Sequence, residues 1–411
     1  MSRSLSSSVR SSLRARVLGT AALHIGLVAV LAGCSPRTRD FGGAGGDGGQ
    51  GAGAPVGGSG EPAPGGGGAG GGGAGGHPAG VCVTDEWQCS DNRPQRCDER
   101  GEWKDEAPCP ARAPVCSGGA CTTPPSCAGL VPTCGPAGDE SCCAVTALPA
   151  GRFRRSDEEK YPAMVSAFLL DRFEVTVGRF RAFVEAYPGS FPERGAGAHP
   201  RIQASGWDPS WNMEMPPSAA ALKEAVRCDA TYQTWSEEAG ERDHLPMNCL
   251  SWYVAFALCA WDGGRLPTEA EWNYAAAGGD EQRAYPWSNP AGDTTIDGSY
   301  AAYDCAGDGT ASELCAFDDV QYVGSRSTKG DGRWRQADLA GGLWEWILDR
   351  YADYGAEPPC DDCANLTAGS NRVFRGGGFG SSASYLRSAF RSDHDPSDRS
   401  GYVGVRCARN P

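Results

Sequence analysis

Cysteine has the most chemistry to offer in this chain, with nineteen copies in 411 residues. A thiol can act as a nucleophile, bind a soft metal or close a disulfide. Spacing sorts these uses. Cys82, Cys89, Cys97, Cys109, Cys116 and Cys121 crowd one short stretch, and Cys127, Cys134, Cys142 and Cys143 follow. An even number so close together reads as a small stapled module whose pairing the sequence leaves open. Cys142 and Cys143 are adjacent and too strained to bond each other, so each is expected to bond a different partner. The second group is read as a clasp between the small module and a larger domain. Cys228 with Cys249, Cys305 with Cys315 and Cys360 with Cys363 read as local pairs. The spacing of Cys360 and Cys363 is also that of redox dithiols, but no thioredoxin-like βαβ pattern surrounds it.

Other ligating residues are sparse. The histidines are His24, His77, His199, His244 and His394, with no paired spacing that would suit zinc or iron. The acidic run from Asp393 to Asp398 reads as a solvated loop. Asn365 opens an N-L-T sequon, which an exported bacterial protein would leave unused.

The elements that would position these residues can be read from pattern. Thr176 is placed to cap a helix whose Phe180, Phe183, Val184 and Tyr187 share one face, stopped by Pro188-Gly189. A second helix follows Ser251, with Trp252, Ala255, Phe256 and Cys259 repeating that spacing and Gly263-Gly264 ending it. A third starts at Thr268, where Glu271 completes a capping box, and stops at Gly278-Gly279. Beyond Gly279 the chain turns rich in Gly, Asp and Trp. Few helices, short strands and long loops predict an α+β class. The tryptophans Trp207, Trp211, Trp252, Trp261, Trp272, Trp287, Trp334, Trp344 and Trp346 would keep long loops packed, and Trp87 with Trp103 would fill the small module.

Composition and the N-terminus bound the setting. The net charge of −14 argues against a nucleic-acid partner. Arg3, Arg10, Arg14 and Arg16 precede an apolar run from Val17 to Ala32 that is short for a membrane span. It ends in L-A-G-C, which resembles a bacterial lipoprotein signal, so Cys34 is predicted to be lipidated and residues 1–33 removed. Ser35 after it points to the outer membrane. Residues 34–80 are almost wholly Gly, Ala and Pro, cannot bury apolar surface, and read as a disordered tether reaching roughly 35 Å. The predicted organisation is then signal 1–33, tether 34–80, disulfide module 81–123, connector 124–160 and a large domain 161–411. So many cysteines on an exported chain imply an oxidising compartment.

The large domain carries a resemblance. "FEVTVGRFRAF", "LSWYVAFALCAWDGGRLPTEAEWNYAAAGG", "YPW", "DLAGGLWEW", "RGGGF" and "GYVGVRC" occur in order between Phe173 and Cys407. Together they resemble the formylglycine-generating enzyme family, or sulfatase-modifying factors. That resemblance implies a loop-rich α+β fold similar to C-type lectins. Active members oxidise a sulfatase cysteine to formylglycine with copper and oxygen.

The resemblance implies specific roles here. The "DLAGGLWEW" loop would hold Ca²⁺ through the Asp338 and Glu345 carboxylates and the Gly341 and Leu343 carbonyls, with Gly342 departing from the usual Asn. Cys259 and Cys407 would form a structural disulfide. The family's second structural pair is replaced by Ala276 and Ser388. Active members place a serine and a pair of copper-binding cysteines just after the "RGG" turn. Here Gly378 takes the serine's place, and no cysteine occurs between Cys363 and Cys407. Hydroxyls such as Ser381 and Ser384 are hard ligands and cannot substitute for thiolates on Cu(I). Copper oxidase chemistry is therefore not expected, and no catalytic residue is assigned. The reading is a lipid-anchored envelope protein that recognises a peptide, protein or glycan. The alternatives are an active oxidoreductase or an envelope scaffold.

Overall fold

The computed structural model describes residues 82–411 apart from 190, 311, 313 and 355–358. The predicted signal peptide, Cys34 and the tether lie outside the described residues. Among the described residues, no helix is long and apolar enough to cross a membrane.

The small module is a sheet of β1 (Trp87–Ser90), β2 (Arg93–Cys97) and β3 (Trp103–Asp105), followed by a hairpin of β4 (Val115–Ser117) and β5 (Ala120–Thr122). Its disulfides are Cys82–Cys97, Cys89–Cys116 and Cys109–Cys121. Cys97, Cys116 and Val115 are buried, while Trp87 is 49% exposed. The expectation that Trp87 fills this core is corrected, because sulfur bridges do the packing in a unit too small for a tryptophan core.

The next cysteines pair as Cys127–Cys143 and Cys134–Cys142. Adjacent cysteines do take different partners, but both bonds stay within the segment and bridge nothing to the small module. The segment docks on the large domain without a bridge, its cysteines packing against Phe173, Val323 and Ala337 and its polar groups bonding across. Asp262 accepts from the Ser126 amide at 2.8 Å, and Arg179 donates to the Ser126 hydroxyl and the Cys142 carbonyl.

The large domain begins earlier than Tyr161. β6 (Val145–Leu148) pairs with β9 (Phe168–Asp171), and β7 (Gly151–Arg154) with β8 (Pro162–Val165). An isolated strand pair would be marginal, so these residues belong to the sheets they complete. The expected helices form as α1 (Val177–Ala186), α3 (Trp252–Trp261) and α4 (Glu269–Ala277), with a short α2 (Ala219–Ala225) between. Thr176, Ser251 and Thr268 cap the three with their side chains, and Glu271 closes the capping box. Gly278 ends α4 in the left-handed conformation that a Cβ would strain.

A four-stranded sheet in the order β13 (Ser392–His394), β12 (Arg372–Arg375), β10 (Trp344–Arg350), β14 (Val403–Gly404) forms the middle of the domain. β11 (Cys360–Asp361) runs parallel to β8, and β15 (Ala408–Arg409) antiparallel to β9. Trp207, Trp252, Trp272 and Trp346 are wholly buried between helices and sheets. The segment around β15 is tied in from several sides. Arg406 donates to the carbonyls of Asp171, Arg172 and Ala337, Cys407 bonds Cys259, and Arg409 pairs with Asp262.

Candidate functional site

The loop from Asp338 to Leu343 feeds directly into β10 through a run of left-handed residues. Asp338 has φ of 55°, Gly341 of 85° and Gly342 of 71°. A Cβ on Gly341 would lie 2.5 Å from the Ala302 carbonyl oxygen, so that position admits only glycine. At Gly342 a Cβ would stand 3.1 Å from Glu174 Oε1. Glu174 therefore crowds the space a side chain at 342 would enter, and the positive φ there adds strain for a Cβ.

Three carboxylates lie at this loop, Glu174 and Glu345 buried and Asp338 half-buried. Glu345 is held by Arg406, whose Nε donates to both oxygens at 2.8 Å and whose Nη2 donates to Oε1 at 2.6 Å. Trp272 Nε1 adds a bond to Glu345 Oε2 at 2.7 Å. Glu174 accepts the Leu343 amide at 2.9 Å, and Asp338 accepts the Gly324 amide at 2.5 Å. Burial, then the charges of Asp338 and Glu345, push the Glu174 carboxyl well above the usual range. Burial is also the main cause that lifts Asp338 to about 6. Three acids face one guanidinium, a charge deficit that a divalent cation would relieve. Glu345 spends both oxygens on Arg406. Among the described residues, no three His, Cys, Asp or Glu side chains already converge as a metal cage.

The loop after Arg375 forms an aromatic face. Phe379 stacks on Tyr402 with centroids 4.7 Å apart, and Trp344 meets Phe374 edge-on at 4.7 Å. Tyr385 and Phe390 pack beside Trp344, and Tyr385 is 44% exposed. Ser381 Oγ accepts the Gly378 amide at 3.0 Å, and Ser382 and Ser384 share a hydrogen bond. Ser388 Oγ donates to the Ala276 carbonyl at 2.9 Å. A hydrogen bond thus joins the two positions where the resemblance places a disulfide.

The cysteines are all accounted for among the described residues. Cys228–Cys249, Cys259–Cys407, Cys305–Cys315 and Cys360–Cys363 are bonded in the structure. One sulfur does stand beside the post-Arg375 loop: a Cβ on Gly380 would lie 3.0 Å from Cys315 Sγ, which comes from a distant loop. That sulfur is in a disulfide, so the residues present do not form the thiolate pair that Cu(I) requires.

The histidines lie apart. His199 Nε2 is 3.5 Å from Glu271, His244 Nδ1 contacts Thr133, and His394 pairs with Asp398. The Asp393–Asp398 run folds into a turn in which Asp395 accepts from Ser397. Sequence reasoning missed Glu174 and Arg406. The available signal was a charge flanked by apolar neighbours: Phe173 and Val175 around one, Val405 and Cys407 around the other, all four wholly buried.

A loop-rich α+β domain with this aromatic face and acid-lined glycine loop defines a class. Residues 132–411 match the Sulfatase-modifying factor enzyme 1-like domain, and the chain belongs to that family. It is 30% identical over 302 residues to the formylglycine-generating enzyme of Thermomonospora curvata, covering 65% of this chain and 93% of that one. Identity is 32% over 292 residues to the enzyme of the same name from Streptomyces coelicolor, covering 64% and 88%. A mouse relative, named inactive C-alpha-formylglycine-generating enzyme 2, is 28% identical over 295 residues, covering 64% and 85%. Among solved structures, PvdO from Pseudomonas aeruginosa superposes with a TM-score of 0.45 at 20% identity, covering 65% and 94%.

Proposed function

We propose that this protein is an exported, lipid-anchored sulfatase-modifying-factor homologue without copper oxidase activity, which binds a polypeptide segment on the aromatic face around Trp344, Tyr385 and Phe390. The observation that carries this reading is the loop after Arg375. It offers serine hydroxyls and one disulfide-bonded sulfur where a soft cation would need two thiolates. The family contains relatives named as enzymes and others named as inactive, so loss of the chemistry within the family has precedent. Nine disulfides suit an oxidising compartment outside the cytoplasm.

A calcium ion would draw on Asp338, Glu174 and the Gly341 and Leu343 carbonyls, and Glu345 would join only by giving up an oxygen that now accepts from Arg406. Bound there, the cation would neutralise buried charge and fix the glycine loop that leads to Trp344.

The deciding experiment uses the purified full chain. Copper and calcium contents are measured, a cysteine-containing sulfatase peptide is incubated aerobically, and peptide and glycan arrays are probed. Calcium without copper, no oxidation and peptide binding are expected. Stoichiometric copper with peptide oxidation would overturn the proposal, and glycan binding alone would replace its ligand.

A further inference from the structure

The Cys360–Cys363 disulfide stands in an environment unlike that of the other eight. It forms part of the wall of a cavity of about 430 Å³ that is also lined by Arg155, Glu269, Asp349, Tyr354 and Arg391. Cys360 is 4% exposed at the start of β11, and Cys363 is half-buried. Between them Asp362 locks the turn. Its carboxylate accepts the Ser166 amide at 2.7 Å and the Ser166 hydroxyl at 2.6 Å, and its own amide donates to Met164. These bonds do not involve sulfur, so the turn keeps its shape whether or not the sulfurs are joined.

Arg155 points at the more accessible sulfur. Its Nη1 lies 3.7 Å from Cys363 Sγ, and its guanidinium stacks 4.3 Å over the Tyr354 ring. Among the described residues Arg155 has no carboxylate partner, and no other disulfide has a guanidinium on a sulfur. The neighbouring Glu269 is already satisfied by Arg391, at 2.8 and 2.6 Å. A cation beside a sulfur stabilises a thiolate there. Asp349 accepts the amides of Glu269 and Asn365, both at 2.8 Å. Burial, then the charge of Glu269, raise its carboxyl to about 7.

Loop size points the same way. The sequence separation of these cysteines is three, whereas the next smallest is eight and that of Cys259–Cys407 is 148. The entropy a cross-link removes from the unfolded chain grows with loop length, so this bond stabilises the fold least and can open without loosening it.

We propose that Cys360–Cys363 is a redox-active disulfide that takes two electrons from thiols entering this cavity, with Cys363 as the attacked sulfur and Arg155 as its positioning residue. An incoming thiolate attacks Cys363 Sγ. The Cys360–Cys363 bond breaks, its electron pair leaves on Cys360 Sγ, and that thiolate takes a proton from solvent. A second thiolate attacks the substrate sulfur of the mixed disulfide, and Cys363 leaves as a thiolate beside Arg155. Two thiols become one disulfide, two cysteines are reduced, and an external disulfide such as oxidised glutathione restores the starting state.

The test needs no knowledge of the protein's ligand and is independent of copper or calcium. The native full chain is equilibrated with graded glutathione buffers and separately with a dithiol peptide, alkylated, and read by peptide-resolved mass spectrometry. Cys360–Cys363 is expected to open in one or both reductants while the other eight bonds persist, and Cys363 to be alkylated about tenfold faster than Cys360. Cys360→Ser should trap the mixed disulfide on Cys363. Arg155→Gln should slow alkylation of Cys363 about tenfold, and Arg155→Lys should restore most of it. The proposal is overturned if neither reductant opens the bond before the chain unfolds, or if Cys360 reacts first. Should Arg155→Gln fail to fold, the wild-type selectivity still decides.

Discussion

Replacing Glu271 with Gln tests how the most recognisable motif of the domain works. Glu271 lies in "RLPTEAEW", is almost wholly buried, and receives Arg265 in a two-pronged contact at 2.7 and 2.6 Å. The Thr268 amide donates to it at 2.9 Å. Burial alone would raise its carboxyl, but the Arg265 charge and the bonds from His199 and Arg265 overcome that and hold it at about 2, against an ordinary 4.5. Because the folded carboxyl is the stronger acid, the unfolded chain binds the proton more readily between those values. The stabilisation is complete above pH 4.5 and is lost as pH falls towards 2. That interval corresponds to roughly 3 kcal/mol. An amide at 271 retains one acceptor and turns an N–H₂ towards the guanidinium, leaving Arg265 buried without its counter-charge. We expect Glu271→Gln to destabilise by about 3–5 kcal/mol at pH 7. The difference from wild type should shrink by about 3 kcal/mol at pH 2.5. Urea unfolding of both proteins at pH 7, 4 and 2.5, disulfides intact, measures this. A difference that is constant across the three pH values, or below about 1 kcal/mol at pH 7, would refute the reasoning.

Three further outcomes are expected. Asp338→Asn removes one of three crowded acids, so it should raise stability in EDTA yet weaken the stabilisation that added Ca²⁺ confers, measured by thermal unfolding with and without the ion. Gly342→Ala places a Cβ at positive φ against Glu174 and should cost about 1–2 kcal/mol in urea unfolding. Removing Cys259–Cys407 by paired alanines opens a 148-residue span and should cost about 5 kcal/mol, with the other bridges intact by mass mapping.

Much of the scaffold could be read from the sequence because its signals are local. The caps at Thr176, Ser251 and Thr268 and the close pairing of Cys228 with Cys249 need only a few neighbouring residues to specify them. The start of the domain escaped because β6 and β7 are short and gain meaning only when β9 and β8, formed later in the chain, pair with them. Glu174 and Arg406 escaped for the same reason. A buried charge is explained by its partner, and Arg406 finds Glu345 across 61 residues. Cys315 beside Gly380, and Arg155 beside Cys363, are juxtapositions of distant loops that no spacing rule announces.

The tie-down of residues 406–409 has a consequence for biogenesis. Sheets formed from residues near 145 and 170, the glycine loop and the third helix all wait for Arg406, Cys407, Ala408 and Arg409 to fill slots between them. A polypeptide made N-terminus first would therefore hold Glu345, Cys259 and the β9 edge without these partners until residues 406–409 are synthesised.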